Sequence, residues 1–338
     1  MKVVSITGER QCEIVSRPDP KATGEFVVVK IQVAPMCTEW KTYSSGQVYH
    51  PLGHEAVGEV VETAQEGDVK VGDRVLVLPQ YPCGKCPFCL TGEYIYCQDT
   101  HNMEEVAGSE WGTDTFAQYI LKQDWMVIPI PGDMSDDHAS MANCGLGPSF
   151  GGLQLVNASR FDTVIIAGLG PVGLGGVINA VYRGARVIGV DGNSYRAKLA
   201  EELGAAAVIN PTDKDAVEQV FSLTGGHGAD KAIECSGVGA AVTFCLKATC
   251  RKGQVALVGG SGDFSANGWL DIVSKGLIVY GSWNWNSGDF PLIFETIRES
   301  SDLLDKMITH TFSLERTEDA WERQITGRCG KVLLYPWR

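Results

Sequence analysis

The segment TVIIAGLGPVGLGG, residues 163–176, constrains this chain more than any other. Its Gly168, Gly170 and Gly173 stand in G-x-G-x-x-G spacing, with Pro171 and Val172 between, directly after a short apolar run and at the opening of a helix-length stretch. The first glycine permits a tight turn, the second lets backbone N–H groups approach a pyrophosphate, and the third lets helix and strand pack closely. Glycine-rich turns are common in a chain with 40 Gly, so the flanking pattern has to carry the reading. Six short apolar runs, TVIIAG, RVIGVD, AAVIN, KAIECS, QVALVG and LIVYG, alternate with helix-length segments from residue 163 to about residue 280. They lack the strict alternation of half-buried strands, as parallel strands covered on both faces do. The expected fold here is α/β, a doubly wound parallel sheet of the Rossmann type. RVIGVD ends at Asp191, where a carboxylate can accept hydrogen bonds from an adenosine ribose and repel a 2′-phosphate, which favours NAD over NADP. Arg196 lies close enough in sequence to soften that preference.

The residues before this unit have a different texture. FVVVKIQVA, residues 26–34, puts Val29, Ile31 and Val33 on one side and Lys30 and Gln32 on the other, the period-two pattern of a half-buried strand. Further short strands are expected at 56–62, 75–79, 116–121 and 126–130, separated by Gly, Pro and Asp turns. The chain has 338 residues, about twice the ~150 of a typical domain. A β-rich domain over 1–147, a Rossmann domain over 148–282 and a return to the first domain over 283–338 fit that length.

Composition excludes some functions. With 28 Lys+Arg against 41 Asp+Glu the formal net charge is −13, which opposes nonspecific binding to nucleic acid or an anionic membrane face. No run approaches the roughly 20 apolar residues of a membrane span, and the first ten residues do not read as a signal peptide. A soluble cytoplasmic protein is expected. Eleven cysteines, an odd number in a chain of this length, do not suggest a secreted disulfide scaffold.

Four of them, Cys83, Cys86, Cys89 and Cys97, form a C-x2-C-x2-C-x7-C array in PCGKCPFCLTGEYIYC. Four clustered thiolates suit a closed, tetrahedral structural zinc. A second candidate set is dispersed: Cys37 follows the strand at 26–34, His54 and Glu55 sit in LGHEAVGE, and Cys144 lies in a glycine-rich crossing segment. Two cysteines and a histidine leave a fourth position for a substrate oxygen, the layout of a catalytic zinc. Spacing alone does not join these residues. Cys12, Cys235, Cys245, Cys250 and Cys329 show no ligand spacing and read as reduced packing residues.

Taken together the motifs resemble the zinc-dependent medium-chain dehydrogenase/reductase family, the alcohol, sorbitol and threonine dehydrogenase kind. GHEAVGEV with VGDRV, the four-cysteine array, GLGPVG, ECSG at 234–237 and a closing GKVLL occur in the family's order, nearly end to end. The resemblance implies a GroES-like β-rich catalytic domain, a Rossmann domain, an active site in the cleft, two zinc ions per chain, NAD, a small-molecule alcohol substrate and a homodimer or homotetramer. By position, His54 and Cys144 match catalytic-zinc ligands, and Glu55 matches a glutamate beside the metal that can ligate it transiently. The family's Cys-Gly-Thr/Ser-Asp is altered here to Met36-Cys37-Thr38-Glu39. Aligning Thr38 and Glu39 puts Met36 on the ligand position, whereas aligning Cys37 moves Thr38 one residue closer. Cys37 is preferred, because thiolate binds zinc far better than thioether.

In such an enzyme zinc acts as a Lewis acid on the alcohol oxygen while hydride leaves for the nicotinamide. Thr38 resembles the relay hydroxyl, with Lys41 or His50 further along the proton's route. Trp40 and Trp283-Asn284-Trp285 suit a sugar, polyol or cyclitol by stacking and amide bonding, or else serve packing. Competing readings are a zinc-free quinone or enoyl reductase, and a dinucleotide-binding redox sensor without turnover.

Overall fold

Where the apolar runs lose their alternation, the computed structural model has a six-stranded parallel sheet; the structure describes residues 1–48, 52–109, 111–260 and 262–338. The strands are Thr163–Ala167, Arg186–Val190, Ala207–Ile209, Ala229–Glu234, Thr249–Leu257 and Ile278–Gly281. Numbered along the chain, they lie in the order 3-2-1-4-5-6. The order reverses at Thr163–Ala167, which has Arg186–Val190 on one side and Ala229–Glu234 on the other. In such sheets ligands bind beyond the carboxyl ends of the strands at this switch point. Val164, Ile165 and Ile166 are fully buried, as a central strand covered on both faces requires. Gly184 and Gly204, with φ of 77° and 106°, follow helices Pro171–Tyr182 and Ser194–Glu202 in the left-handed conformation of a C-cap.

The β-rich unit centres on strand Phe26–Pro35. Its sheet runs Ile308–Ser313, Lys331–Tyr335, Phe26–Pro35, Ala56–Glu62, Arg74–Val77, Val127–Pro129, with Tyr119–Gln123 also pairing to Phe26–Pro35. Period-two alternation serves two cores: Val27, Val29 and Ile31 pack with Phe116, Trp321 and Leu334, while Phe26 and Val28 pack with Met103 and Leu121. Register matters for the site. Val33 pairs with Val57 and Pro35 with Leu333. The end of Phe26–Pro35 therefore lies beside the starts of Ala56–Glu62 and Lys331–Tyr335.

The chain forms two units, Met1–Asn143 with Asn286–Ile297 and Ile308–Arg338, and Cys144–Trp285 with Arg298–Met307. The expected boundaries after 147 and 282 are a few residues late and early, and one segment differs in kind. Arg298–Met307, expected in the return to the first domain, belongs to the Rossmann unit. Leu304 and Met307 of helix Ser301–Met307 are fully buried against helices Pro171–Tyr182 and Ser194–Glu202, which anchors the segment there. Among the described residues no helix is long and apolar enough to cross a membrane.

Candidate metal centres and dinucleotide turn

The four-cysteine lobe folds almost entirely from its own residues. Cys86 opens the one-turn helix Pro87–Leu90, and Pro87 sits where its missing N–H is harmless. The thiols approach at 3.4 Å for Cys86 and Cys89, and 4.0 Å for both Cys83–Cys89 and Cys86–Cys97. A tetrahedron of ~2.3 Å Zn–S bonds sets its sulfurs about 3.8 Å apart, so this donor set fits one zinc with no open position. Backbone N–H bonding from Cys89 draws the Cys86 thiol down to about 7, while burial pushes Cys89 up to about 12. The returning chain braces the lobe: Asn286 Nδ2 donates to Thr91 O at 2.8 Å and Glu93 Oε1 at 2.9 Å, and Ser287 N–H donates to Gly92 O at 2.9 Å.

The second centre is assembled from distant positions. Cys37 follows the end of strand Phe26–Pro35, His54 and Glu55 precede strand Ala56–Glu62, and Cys144 is the residue at which the chain leaves the β-rich unit. Their ligand atoms all lie within 4.8 Å of one another. Met36 turns inward instead; it is fully buried in the core and donates its N–H to Val332 O at 2.9 Å. The altered spacing after Cys37 has a geometric answer. Glu39 accepts from the Cys37 N–H through Oε2 and meets His54 Nδ1 through Oε1, both at 2.9 Å. Its side chain, one methylene longer than aspartate, reaches the imidazole although the motif is one residue short. A carboxylate on Nδ1 fixes the tautomer that offers Nε2 to a metal. Burial opposes charge on His54, but Glu39 and Cys37 together raise the imidazole well above its usual range.

Glu55 is already committed. Lys331 Nζ donates to Oε1 and Oε2 at 2.8 and 2.9 Å, and both side chains are fully buried. Burial lifts the Glu55 carboxyl to about 7, with Lys331 pulling the other way. The backbone leading to His54 is pinned by a neighbouring segment, since the N–H groups of Thr115 and Phe116 donate to Leu52 O at 3.1 and 3.0 Å. The adjoining Asp114 is fully buried, and neither carboxylate oxygen has a partner among the described residues. Burial raises its pKa to about 7 against the pull of nearby backbone amides.

In the Rossmann unit Gly168 and Gly173 meet steric demands that only glycine satisfies. Gly168 has φ 88°. A Cβ on Gly173 would lie 1.7 Å from Gly168 O, so only glycine lets the helix sit this close. Gly170 caps helix Pro171–Tyr182, and Pro171 and Val172 form its first turn. Asp191 holds the turn from one side, accepting from Leu169 N–H at 2.7 Å and Asn193 N–H at 2.8 Å. Arg196 lies alongside; its Nη1 is 4.0 Å from where a Gly170 Cβ would stand.

The family described as Zinc-binding dehydrogenase matches residues 171–299, and the Alcohol dehydrogenase GroES-like domain matches residues 24–132. Sorbitol dehydrogenase of Bacillus subtilis is 30% identical and aligns over 100% of this chain and 98% of its own length. The chain belongs to the zinc-dependent medium-chain dehydrogenase family. L-threonine 3-dehydrogenase of Symbiobacterium thermophilum is 31% identical, over 94% of this chain and 93% of its own. A solved alcohol dehydrogenase of Escherichia coli CFT073, complexed with NADH, superposes with TM-score 0.85 at 25% identity, covering 99% of both chains. The fold is that of the family, a GroES-like domain with a Rossmann sheet, and its class is alcohol oxidoreduction.

Other residues singled out in this dehydrogenase sequence fall unevenly. Thr38 and Lys41 are exposed, and His50 lies outside the described residues. Trp40 is half-buried against the β-rich core. Of Trp283-Asn284-Trp285, only Trp283 is exposed, at 54%; Asn284 and Trp285 are buried, which limits stacking on a substrate to the first. Glu39 was visible only as an acid in a displaced motif. Lys331 was signalled only as a lysine opening an apolar strand, and Asp114 carried no signal.

Proposed function

We propose that this protein is a zinc-dependent dehydrogenase that moves hydride between NAD and a secondary alcohol, polyol, sugar or cyclitol. The carrying observation is the convergence of Cys37, His54 and Cys144 within 4.8 Å, with His54 locked by Glu39. Zinc held by these three ligands would supply a Lewis acid for the substrate oxygen, and NAD the hydride acceptor. The protein's own residues set the stage. Glu39 keeps Nδ1 of His54 occupied, Lys331 holds Glu55 in place, and Asp191 with the Gly168–Gly173 turn orients the dinucleotide. The exposed Thr38 hydroxyl passes the alcohol proton toward water. The Cys83, Cys86, Cys89 and Cys97 lobe holds a second, structural zinc.

Cytoplasmic location is part of the reading, because eleven cysteines with no disulfide among them suit a reducing compartment. So is a homodimer or homotetramer. Strand Ile278–Gly281 ends the six-stranded sheet with Ile278 and Val279 exposed, and Trp269, Leu270 and Val273 are at least 60% exposed; an open apolar edge is suited to pairing with a second copy.

The test is to assay purified protein for zinc and for NADH formation with a panel of polyols, sugars and secondary alcohols. Two zincs per chain and NAD-dependent turnover are expected. One zinc and no turnover would favour a dinucleotide sensor, and faster turnover with NADP would overturn the role of Asp191.

A further inference from the structure

The dinucleotide turn has a second acidic support that the cofactor reading does not use. Glu234 ends strand Ala229–Glu234, the neighbour of Thr163–Ala167 on the side away from Asp191. It is fully buried. Its Oε1 accepts from Ser236 N–H at 2.7 Å, Ser236 Oγ at 2.5 Å and Gly237 N–H at 3.0 Å. Its main-chain oxygen accepts from the N–H groups of Val258 and Gly259, both at 2.9 Å. One side chain thus folds the loop after the strand back on itself.

That loop is the wall against which the turn is built. A Cβ on Gly168 would stand 2.5 Å from Ser236 Cβ and 2.7 Å from Ser236 N. Gly168, at φ 88°, packs this closely on Ser236 only because it lacks a side chain, and Glu234 fixes the Ser236 backbone it packs against. The first glycine is therefore held between two carboxylates. Asp191 takes the Leu169 N–H, and Glu234 fixes the Ser236 backbone on the opposite side. Asp191 is partly exposed and has lone pairs left for a ribose. Glu234 is enclosed, and its Oε2 lacks a partner among the described residues, facing Gly259. Burying a carboxylate is expensive unless its hydrogen bonds compensate, and the three on Oε1 are spent on shaping this loop.

We infer that Glu234 is a positioning residue for the dinucleotide, holding the Ser236–Gly237 loop so that the Gly168–Gly173 turn is preformed for the pyrophosphate. The inference rests on the NAD reading above. It predicts a split within the cofactor. Ligands with a pyrophosphate should feel the loss of Glu234, whereas AMP, anchored at Asp191, should not.

The experiment measures binding of NADH, ADP-ribose and AMP to the zinc-loaded wild type and to Glu234→Ala, Glu234→Asp and Glu234→Gln. Glu234→Ala should weaken NADH and ADP-ribose about tenfold, the scale of one net charge-assisted hydrogen bond, and AMP less than about twofold. Glu234→Asp withdraws the carboxylate by one methylene, is less exposed to folding failure, and should show the same split. Glu234→Gln keeps an acceptor at Oε1 and should come within about threefold of wild type. Wild-type affinity for ADP-ribose in both Glu234→Ala and Glu234→Asp, or equal loss of AMP, would overturn the positioning role while leaving the NAD reading intact. A wild type that binds neither NADH nor ADP-ribose would overturn both.

Discussion

The two thiol centres differ in how far the chain must fold before each exists. The lobe draws all four donors from Cys83 to Cys97, and Asn286 and Ser287 brace it from the returning chain. The other draws its donors from Cys37, His54 and Cys144, brought together by strand register and the crossing of the chain. The difference extends to their surroundings. Sulfurs alone fill the lobe, whereas the assembled centre carries oriented acids: Glu39 on His54 and Glu55 on Lys331. A site made of neighbours is positioned by the short loop between them. One made of distant residues needs further side chains to hold its geometry.

Cys37→Ala gives the largest expected effect, since Lewis-acid assistance is worth several kcal/mol. Turnover should fall about a thousandfold and zinc from two ions per chain to one, with the lobe retained. Two zincs and full activity in that variant would erase the distinction between the centres. Lys331→Met removes the buried cation that faces Glu55, and unfolding by denaturant should register a loss of about 3 kcal/mol. The double variant with Glu55→Gln should recover much of it. Glu39→Ala should weaken zinc at the assembled centre about 10–100-fold in chelator competition and leave the lobe's zinc untouched. Equal loss from both centres would show that Glu39 merely stabilises the unit.

Thr38→Val should lower turnover about tenfold, below the usual range for general acid–base groups because water can substitute, with zinc content unchanged. Unaltered turnover would remove Thr38 from the proton's route. Asp114→Asn should have the smallest effect and a pH signature. Burial raises the Asp114 pKa from 3.8 to about 7. Its protonated form therefore favours the folded state, and this contribution is present below about pH 4 and lost as pH rises through 7. The asparagine variant should gain about 1 kcal/mol at pH 8 and nothing near pH 4, as thermal unfolding at the two pH values would reveal. A gain independent of pH would exclude titration of Asp114 as the cause.

Much of this was legible because some signals are local. The six apolar runs announced the parallel sheet, since strands covered on both faces lose their alternation. Gly168, Gly170 and Gly173 announced a turn whose steric demand lies within a few residues. Cys83 to Cys97 announced a lobe by spacing alone. Resemblance to a family, rather than spacing, joined Cys37 to His54 and Cys144. Lys331 lay unread because a buried lysine in KVLLY is indistinguishable from an edge-strand charge until its partner is known. ECSG is legible as a motif, but the place of Glu234 depends on Ser236 lying against Gly168, which only the fold brings about.

Sequence by itself thus determined the elements, the glycine turn at 168–173 and the four-sulfur lobe, because each depends on torsional freedom, periodicity or donors close along the chain. Tertiary structure decided that the Cys37 thiol rather than the Met36 thioether stands beside His54, that Glu39 bridges a shortened motif, and that Arg298–Met307 packs with the Rossmann unit. Those outcomes depend on strand register and burial, where a shift of one residue moves a side chain to the opposite face.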